Sequence, residues 1–474
     1  MSRQNDLLKN TVILGIGYAV PAIVSFLTLP LYTAFLTQTE YGMYDLITIL
    51  LSLVMPTMTL QIKTSVFRFL IESRESEEER KYYISTAYLF TVLISFLSIA
   101  VLFVLLSGID SLTKGLICFY IFQEVLIDLS KQTARGSGML NKYIFSVTLH
   151  SVLLLVLAYL FLAVFKMGLN GLLIALNVAL LVSNIYIFLS LGLKNYLSIW
   201  KYNTLYLKKM LRFSAPMVPN SISLWIVKLS DRLVVTVFLG IEANAIYSVA
   251  NKIPSLLSQV VNVFNLSWQE NASLAVNDKD VAEYYSDINQ TTIDILLGTS
   301  AILIASLPFL FKILIKGAYE QAYNQMPILI CGIFFSCLSS CYGSIYIALK
   351  KTKFIGVTSA IGAILNLVIN ILFINKIGLY AASLSTVISY CLIYFSRVVQ
   401  LRKYIEIHLK WKKNCISFIV LLIICAIYYK QNSFGNMIAF LMAVIFFFIL
   451  NKNVCKSFCS QCISKIERRK NGSK

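Results

Sequence analysis

Long apolar stretches alternate with short polar breaks along almost the whole chain. A helix that crosses a bilayer needs about 20 mainly apolar residues, and these stretches reach that length. The pattern predicts about fourteen transmembrane helices. The predicted spans are 11–36, 43–67, 83–107, 115–135, 143–165, 169–192, 213–238, 243–268, 289–312, 325–349, 354–375, 378–398, 413–430 and 434–451.

The composition supports a membrane protein. Of the 474 residues, 58% are hydrophobic and only 13% are charged. Soluble domains carry about 25% charged residues, so the apolar surface of this chain must face lipid as well as core. The expected fold class is an all-α integral membrane protein.

The basic residues fix the expected orientation. The net charge is +19, and most Lys and Arg lie in the breaks between apolar stretches. With the N-terminus inside, the cytosolic segments hold 31 Lys and Arg and the outer loops hold 6. Cytosolic loops are enriched in Lys and Arg, so both termini are expected in the cytosol. Membrane topology thus explains the positive charge, and no nucleic-acid partner is expected.

Several classes of chemistry lack the residues they need. No phosphate-binding loop of the Walker type occurs in the chain. Cys455, Cys459 and Cys462 cluster near the C-terminus without a fourth ligand nearby, so no metal site is expected. The outer loops are short, unlike the large loop of membrane-bound polymerases and ligases. We expect neither an enzyme nor a cofactor.

An internal repeat divides the chain into two similar halves. Residues 141–144 (NKYI) and 352–355 (TKFI) each open an apolar helix that ends in a tight turn, at Gly168 and Gly378 respectively. The echoes lie six spans apart, so the two halves have the same orientation. The expected organisation is a six-helix lobe over 1–200, a second over 201–405, and two additional helices with a basic cytosolic tail over 406–474.

Charges inside the spans are the candidate functional residues, because a charge in lipid costs about 2.5–3.5 kcal/mol or more and therefore tends to face a cavity. Lys228, Asp231 and Arg232 share one face of span seven, and Lys252 lies on span eight. Three cations against one carboxylate suit an anionic ligand such as a phosphate. The alternative is that Asp231 simply pairs with Lys228 or Arg232 to hold helices together.

Spans two and four carry further charges. Asp45 and Lys63 would lie on one face of span two, about 27 Å apart along its axis. They mark opposite mouths of one path, or they are ordinary interfacial residues. Glu124 and Asp128 begin a polar stripe on span four and are candidates for ion or proton coupling, together with Asp45. The alternative is a local ladder in which Lys131 and Arg135 neutralise the two carboxylates.

Three stretches resemble the bacterial polysaccharide transporter family, which contains the O-antigen flippases and belongs to the multidrug/oligosaccharidyl-lipid/polysaccharide exporter superfamily. The first is FLTLPLY at 26–32 followed by EYGMY at 40–44. The second is FSAPMVP at 213–219, which leads to Asp231, Arg232 and the FLG at 238–240. The third is IYSVANKIP at 246–254.

The resemblance implies two six-helix lobes around a cavity, as in multidrug exporters of this superfamily, plus a C-terminal pair. It implies a flippase of the bacterial inner membrane that moves undecaprenyl-pyrophosphate-linked oligosaccharide, such as an O-antigen repeat unit, to the periplasmic leaflet by alternating access. Lys228, Arg232 and Lys252 would then meet pyrophosphate or acidic sugars, and Lys63 would be a cytosolic-side contact. Membrane lipid, a polymerase and a chain-length regulator are the other expected partners.

Two other functions compete with this one. A cation-coupled exporter of small amphiphiles would use Glu124 or Asp128, as carboxylates serve in the multidrug branch. The position of Asp45 at the edge of its predicted span argues against that branch. A non-transporting scaffold would have no use for the charges inside the spans.

Overall fold

The computed structural model describes residues 20–105, 108–452 and 454–456, apart from the side chains at 105, 220, 223, 224, 227, 228, 263 and 266. These residues form helices joined by short connections, and none of them lies in a β-strand. The predicted first span before Val20 and the basic tail from 457 onward lie outside the described residues.

Sixteen α-helices follow one another along this part of the chain, and we number them in order. They are α1 Val20–Phe35, α2 Gln38–Met58, α3 Ile62–Glu72, α4 Glu77–Leu105, α5 Ser111–Gly136, α6 Leu140–Ala158, α7 Gly168–Ser190, α8 Thr204–Ser214, α9 Val218–Leu239, α10 Ile241–Ala275, α11 Val281–Leu314, α12 Glu320–Ala348, α13 Thr352–Ile377, α14 Leu379–Leu401, α15 Trp411–Tyr429 and α16 Ser433–Leu450.

Each predicted span coincides with a helix, except that the second is divided between α2 and α3. Among the described residues, ten helices are long and apolar enough to cross a membrane: α2, α4, α6 with its π-helical extension, α7 and α11 to α16. The other four predicted spans fall on the described part of α1 and on α5, α9 and α10, which carry the intramembrane charges. The all-helical membrane fold is thus confirmed, and the number fourteen stays a prediction.

Large apolar side chains cover the outside of these helices. Leu93, Val104, Ile313, Ile364 and Ile449 each expose more than 60% of their surface. Exposed apolar surface on this scale would drive a soluble protein to aggregate, whereas lipid solvates it at no cost.

The second predicted span is broken, and the expectation that Asp45 and Lys63 share one face of a continuous helix is wrong. Helix α2 ends at Met58, and Leu60 and Gln61 adopt left-handed φ angles of 48° and 57° before α3 begins. Pro56 lies in the last turn of α2 and removes one hydrogen bond from the helical ladder there. Two left-handed residues turn the chain, so α3 presents Lys63 in a new direction.

Contacts along the chain define two compact units, residues 1–248 and 249–474. In the first unit, α5 packs against α3, α4, α6 and α7. Amide side chains join α5 to α7, because Gln123 Nε2 donates to Asn177 Oδ1 at 3.0 Å and Asn177 Nδ2 donates to the carbonyl of Leu116 at 3.1 Å. Helix α9 packs against α2, and α8 packs against α3 and α4.

In the second unit, α14 packs against α12 and α13, and α11 packs against α15 and α16. Lys413 of α15 forms an ion pair with Asp294 of α11 at 2.7 Å. Asn451, just after α16, donates to the carbonyl of Asp294 at 3.3 Å. The last two helices are therefore held by α11 through polar contacts as well as apolar ones.

Glycine permits a close approach between α2 and the start of α10 in the first unit. A Cβ added at Gly42 of α2 would lie 2.1 Å from the carbonyl oxygen of Ile241, the first residue of α10. No real Cβ tolerates that distance, so any larger residue would push the start of α10 away from α2.

We predict that Gly42→Ala lowers the thermal stability of the detergent-solubilised protein. Overpacking at a closed contact costs about 1–3 kcal/mol. Gly356→Ala is the matched control, because Gly356 lies in α13 and has nothing within 4 Å of its added Cβ. The control should be neutral or slightly stabilising, since alanine favours a helix over glycine by about 1 kcal/mol. Equal effects of the two substitutions would contradict the close α2–α10 contact.

Candidate functional site

The carboxylate of Glu40 accepts hydrogen bonds at the N-termini of two helices, α2 and α7. Thr37 and Glu40 form a capping box, in which each side chain accepts a hydrogen bond from the backbone N–H of the other residue. Glu40 Oε1 also accepts from the backbone N–H of Leu169 at 2.9 Å, at the start of α7. The tight turn at Gly168 makes room for this contact, because a Cβ there would lie 2.1 Å from Glu40 Oε1.

Five residues further along α2, Asp45 is the centre of a polar cluster. Its side chain is buried and accepts hydrogen bonds from three helix positions. Arg232 Nη1 of α9 donates at 2.7 Å, Ser248 Oγ of α10 donates at 2.5 Å, and Asn244 Nδ2 of α10 donates at 3.2 Å. The carboxylate thereby gains both a counter-charge and hydrogen bonds, which a buried ion needs.

Helices α2 and α9 run antiparallel and are joined at two levels, and Gln61, in the turn after α2, adds a third contact with α9. Beyond the Asp45–Arg232 pair, Trp225 Nε1 donates to the carbonyl of Ile49 at 3.0 Å. At the other end, Gln61 Nε2 donates to Ser221 Oγ at 2.7 Å. The side of α9 that carries Arg232 is thus held against α2 over most of its length.

Three tyrosines surround the start of this cluster. The rings of Tyr32, Tyr41 and Tyr44 lie 5.6–6.3 Å apart between centroids, and Tyr41 is fully buried. Tilted aromatic pairs at this separation contribute about 0.5–1.5 kcal/mol beyond the area they bury. Tyr32, Tyr41 and the Asp45 carboxylate are all buried in this part of the unit.

A second charge pair lies on the other side of the break in span two. Lys63 of α3 donates to Asp128 of α5 in a close ion pair. Thr59, Thr91 and Val125 line a small pocket at this pair, with room for about one water molecule. Both charged side chains remain partly exposed, Lys63 at 31% and Asp128 at 25%. The sequence predicted both residues as candidates but did not predict that they pair.

The predicted ladder along α5 does not form in the described part of the chain. No ion pair joins Lys131 or Arg135 to Glu124 or Asp128 there. The guanidinium of Arg135 lies over the rings of Phe67 and Tyr143, at 4.9 and 5.8 Å from their centroids. Glu124 is half-buried and accepts a hydrogen bond from the hydroxyl of Tyr120 at 3.4 Å.

The remaining predicted residues of spans seven and eight are placed as follows. The backbone of Lys228 lies in α9, one turn before Arg232, and its side chain lies outside the described ones. Asp231 is buried and engaged with neighbouring groups. Lys252 belongs to the second unit, where it is half-buried in α10 and likewise engaged.

Sequence reasoning missed part of what the structure brings together. Asn244 and Ser248 are spaced one turn apart at the start of α10, which was the available signal for a polar face directed at one partner. Arg397 of α14 was counted among the cytosolic cations, yet it is buried. Its guanidinium donates to the carbonyl of Ser339 at 2.6 Å and to Ser359 Oγ at 2.9 Å, which joins α12 and α13 to α14.

In the described part of the chain, ten helices are long and apolar enough to cross a membrane and ion pairs join neighbouring helices, which defines the class of multi-pass membrane proteins. More particularly, residues 7–268 match the model of the family described as "Polysaccharide biosynthesis protein", and the chain belongs to this family. The matched range contains both charge pairs, Asp45–Arg232 and Lys63–Asp128.

Similar proteins extend the comparison to the rest of the chain. A candidate O-antigen transporter of Shigella flexneri is 24% identical over 408 residues, which are 80% of this chain and 94% of that protein. The solved structure of the lipid II flippase MurJ in an inward closed conformation has a TM-score of 0.72 at 16% identity and covers 94% of this chain and 100% of its own.

An inward-facing multidrug transporter of the MATE family and MOP superfamily has a TM-score of 0.69 at 12% identity, over 82% of this chain and 98% of its own. The two structural likenesses show the fold. The relatives named here are transporters or flippases, which confirms the expectation that the chain is not an enzyme. The expected family is confirmed by the match over residues 7–268, and the inner membrane and the cytosolic termini stay predictions.

We predict that Asp45→Asn destabilises the protein, because it leaves the Arg232 guanidinium without its counter-charge. Removing one partner of a buried pair costs about 3–5 kcal/mol, and the 19% exposure of the Arg232 side chain places this case at the lower end. The double variant Asp45→Asn/Arg232→Gln should recover part of the loss, because no charge is then left alone. Thermal unfolding in detergent measures all three proteins.

The exposed pair between Arg68 and Glu72 provides the control for this cycle. Both side chains are about half exposed, and exposed pairs of this kind contribute about 0.3–0.5 kcal/mol. Arg68→Gln should therefore change stability little. Strictly additive effects of Asp45→Asn and Arg232→Gln would contradict a buried, coupled pair.

Proposed function

We propose that this protein is a flippase for lipid-linked oligosaccharide. In the specific form of the proposal, it moves an undecaprenyl-pyrophosphate-linked repeat unit, such as an O-antigen unit, from the cytosolic to the periplasmic leaflet of the bacterial inner membrane. The family match over 7–268 carries the proposal, and the fold shared with a lipid II flippase along 94% of the chain supports it. A polymerase and a chain-length regulator would act on the translocated unit.

The proposal includes alternating access between two six-helix lobes, 1–200 and 201–405, with 406–474 as an added helix pair and tail. Rigid-body rocking of such repeats around a fixed site is how many transporters expose one site to two sides in turn. Helix α9 starts the second lobe in this scheme, so the α2–α9 contacts would be made and released during the cycle.

We further propose that Arg232 exchanges partners during transport. In this structure its guanidinium is bound by the single carboxylate of Asp45. A pyrophosphate carries more negative charge than a carboxylate and offers more acceptor oxygens to the planar guanidinium. Lys228, one turn away along α9, and Lys252 would add further positive charge to the substrate site. Asp45 would thus hold Arg232 until the substrate arrives.

A charge swap separates substrate binding by Arg232 from its structural role. In Asp45→Arg/Arg232→Asp the two charges can still attract each other across α2 and α9, but α9 now carries a carboxylate. We expect the variant to accumulate in the membrane and to reduce surface polysaccharide at least about tenfold, as a loss of 1.4 kcal/mol or more would do. The measurement is glycan staining of a deletion strain that expresses each variant, with membrane protein quantified alongside.

A wild-type level of surface polysaccharide in the swapped variant would show that the role of Arg232 is only to pair with Asp45. The function itself is tested separately by reconstitution. Proteoliposomes that contain the wild-type protein should expose lipid-linked oligosaccharide to an added lectin faster than protein-free liposomes. Equal rates with well-folded protein would contradict the flippase.

The second candidate function is a cation-coupled exporter of small amphiphiles. The observation that favours it is the acidic face of α5, where Asp128 and Lys63 line a pocket and Glu124 lies one turn away. A carboxylate that exchanges a lysine for a proton or a metal cation is a common coupling device.

Glu124→Gln separates the two candidate functions. Increased drug sensitivity with normal polysaccharide would favour the exporter. Loss of polysaccharide with unchanged drug sensitivity would favour a flippase that uses Glu124 for coupling. The assays are growth inhibition by cationic amphiphiles and the same glycan stain, with Glu79→Gln on the exposed start of α4 as the control.

A further inference from the structure

The connection between α7 and α9 is basic and amphipathic. It consists of residues 193–214, here named the linker segment, and includes the 3-10 turns Leu193–Asn195 and Ile199–Lys201 followed by α8. It contains five basic residues and no acidic one: Lys194, Lys201, Lys208, Lys209 and Arg212. It begins three residues after α7 ends and stops four residues before α9 begins, so both of its ends are tied to helices of the membrane domain.

One side of the linker segment is firmly held by the first unit. Met210 and Ser214 are fully buried. The backbone N–H of Asn203 donates to Thr86 Oγ1 of α4 at 3.1 Å, and Ser85 Oγ of the same helix donates to the carbonyl of Tyr196. These contacts fix which side of the segment faces outward.

The outward side carries large apolar residues. Trp200 is 93% exposed, Ile199 is 76% exposed and Leu205 is 74% exposed. At 100° per residue, α8 places Leu205 on the same side as Lys208, Lys209 and Arg212. Apolar side chains framed by basic ones are typical of helices that lie in the interface of a membrane.

Part of the positive charge is used within the protein and part is not. Lys201 forms an ion pair with Glu78 at 3.2 Å, and this hydrogen bond raises the pKa of Lys201. Lys209 donates to the hydroxyl of Tyr83 at 2.9 Å. In the described part of the chain, Lys194, Lys208 and Arg212 form no ion pair.

The nearest acidic group, at the start of α4, does not cancel this excess. Glu78 is already engaged by Lys201, and Glu77 pairs with Lys81 at 3.1 Å. Glu79, the third carboxylate in this turn, lies near Tyr206 and Lys209 and interacts electrostatically with both. In the described residues, Lys194, Lys208 and Arg212 remain without an ion pair next to the three exposed apolar residues.

We propose that the linker segment binds the anionic phospholipid surface of the leaflet next to it. Trp200, Ile199 and Leu205 enter the headgroup region, where indole rings partition favourably. The long side chains of Lys194, Lys208 and Arg212 reach up to the lipid phosphates. Charge complementarity selects a lipid surface over a neutral one, and the apolar residues set the depth of contact.

The test measures Trp200 fluorescence of the full-length protein in lipid nanodiscs. Bromine quenches nearby indoles, so it is placed on the acyl chains of either phosphatidylglycerol or phosphatidylcholine at the same mole fraction. The difference between the wild type and Trp200→Phe isolates this indole from the other three tryptophans. We expect stronger quenching by brominated phosphatidylglycerol, and we expect about 1 M salt, where the Debye length is about 3 Å, to abolish the preference.

A matched pair of charge variants tests the cations. Lys194→Gln/Lys208→Gln/Arg212→Gln should reduce the preference for phosphatidylglycerol by severalfold, because each cation near an anionic leaflet contributes about fivefold to binding. Lys350→Gln/Lys353→Gln/Lys403→Gln removes the same charge from exposed positions elsewhere and should leave the preference unchanged.

Equal quenching by both brominated lipids would overturn the anionic preference. Absence of quenching by either lipid would place Trp200 in water and overturn the proposal in favour of a protein-docking surface. Both readouts use folded protein in nanodiscs and do not depend on transport.

Discussion

An ionised side chain inside a membrane protein must find its counter-charge on another helix, because neither lipid nor distant water can supply one. The first compact unit meets this requirement twice. Asp45 of α2 is paired with Arg232 of α9, and Lys63 of α3 is paired with Asp128 of α5. Each pair helps to determine which helices are neighbours, because lipid provides no hydrophobic driving force that would bring particular helices together. The arrangement of α2, α3, α5 and α9 therefore depends on four charged residues.

The helices were predictable from the sequence, whereas the pairings were not. Long apolar stretches and the bias of basic residues are signals summed over many positions, so each predicted span coincides with helix, even where α5, α9 and α10 carry charges. The periodic i, i+3 and i+4 rule speaks only of contacts within one helix. It therefore suggested a ladder along α5 and a self-contained group on α9, while the structure joins Asp128 of α5 and Arg232 of α9 to charged residues on other helices. Because Asp45 lies at the edge of a predicted span, the sequence left open whether it is an ordinary interfacial residue or part of a path, and in the structure it is buried and accepts from three donors on two helices.

The break in span two was hidden for a related reason. Neither Leu60 nor Gln61 is a residue that favours the left-handed conformation, and Pro56 alone does not say where a helix stops. Contacts with α9 and α5 on either side of the break over-determine those two residues. Gly42 and Gly168 could be noted in the sequence as members of a family-like stretch and a turn. The reason that these two positions require glycine is a carbonyl or a carboxylate oxygen 2.1 Å from where a Cβ would lie. That contact is visible only in the folded structure.

The two left-handed residues between α2 and α3 also determine how a movement of one helix is transmitted to the next. A continuous helix transmits displacement along its axis, because every turn is bonded to the next. Here the regular ladder is interrupted after Met58, where the N–H groups of Leu60 and Gln61 donate to the carbonyls of Thr57 and Pro56 in a turn, and α3 begins at Ile62. The two left-handed residues thus form a joint between α2 and α3. Helix α2 is held by α9 and α10 through Asp45, and α3 is held by α5 through Lys63. A displacement of the helix at one charge pair is thus taken up at Leu60 and Gln61 before it reaches the other pair.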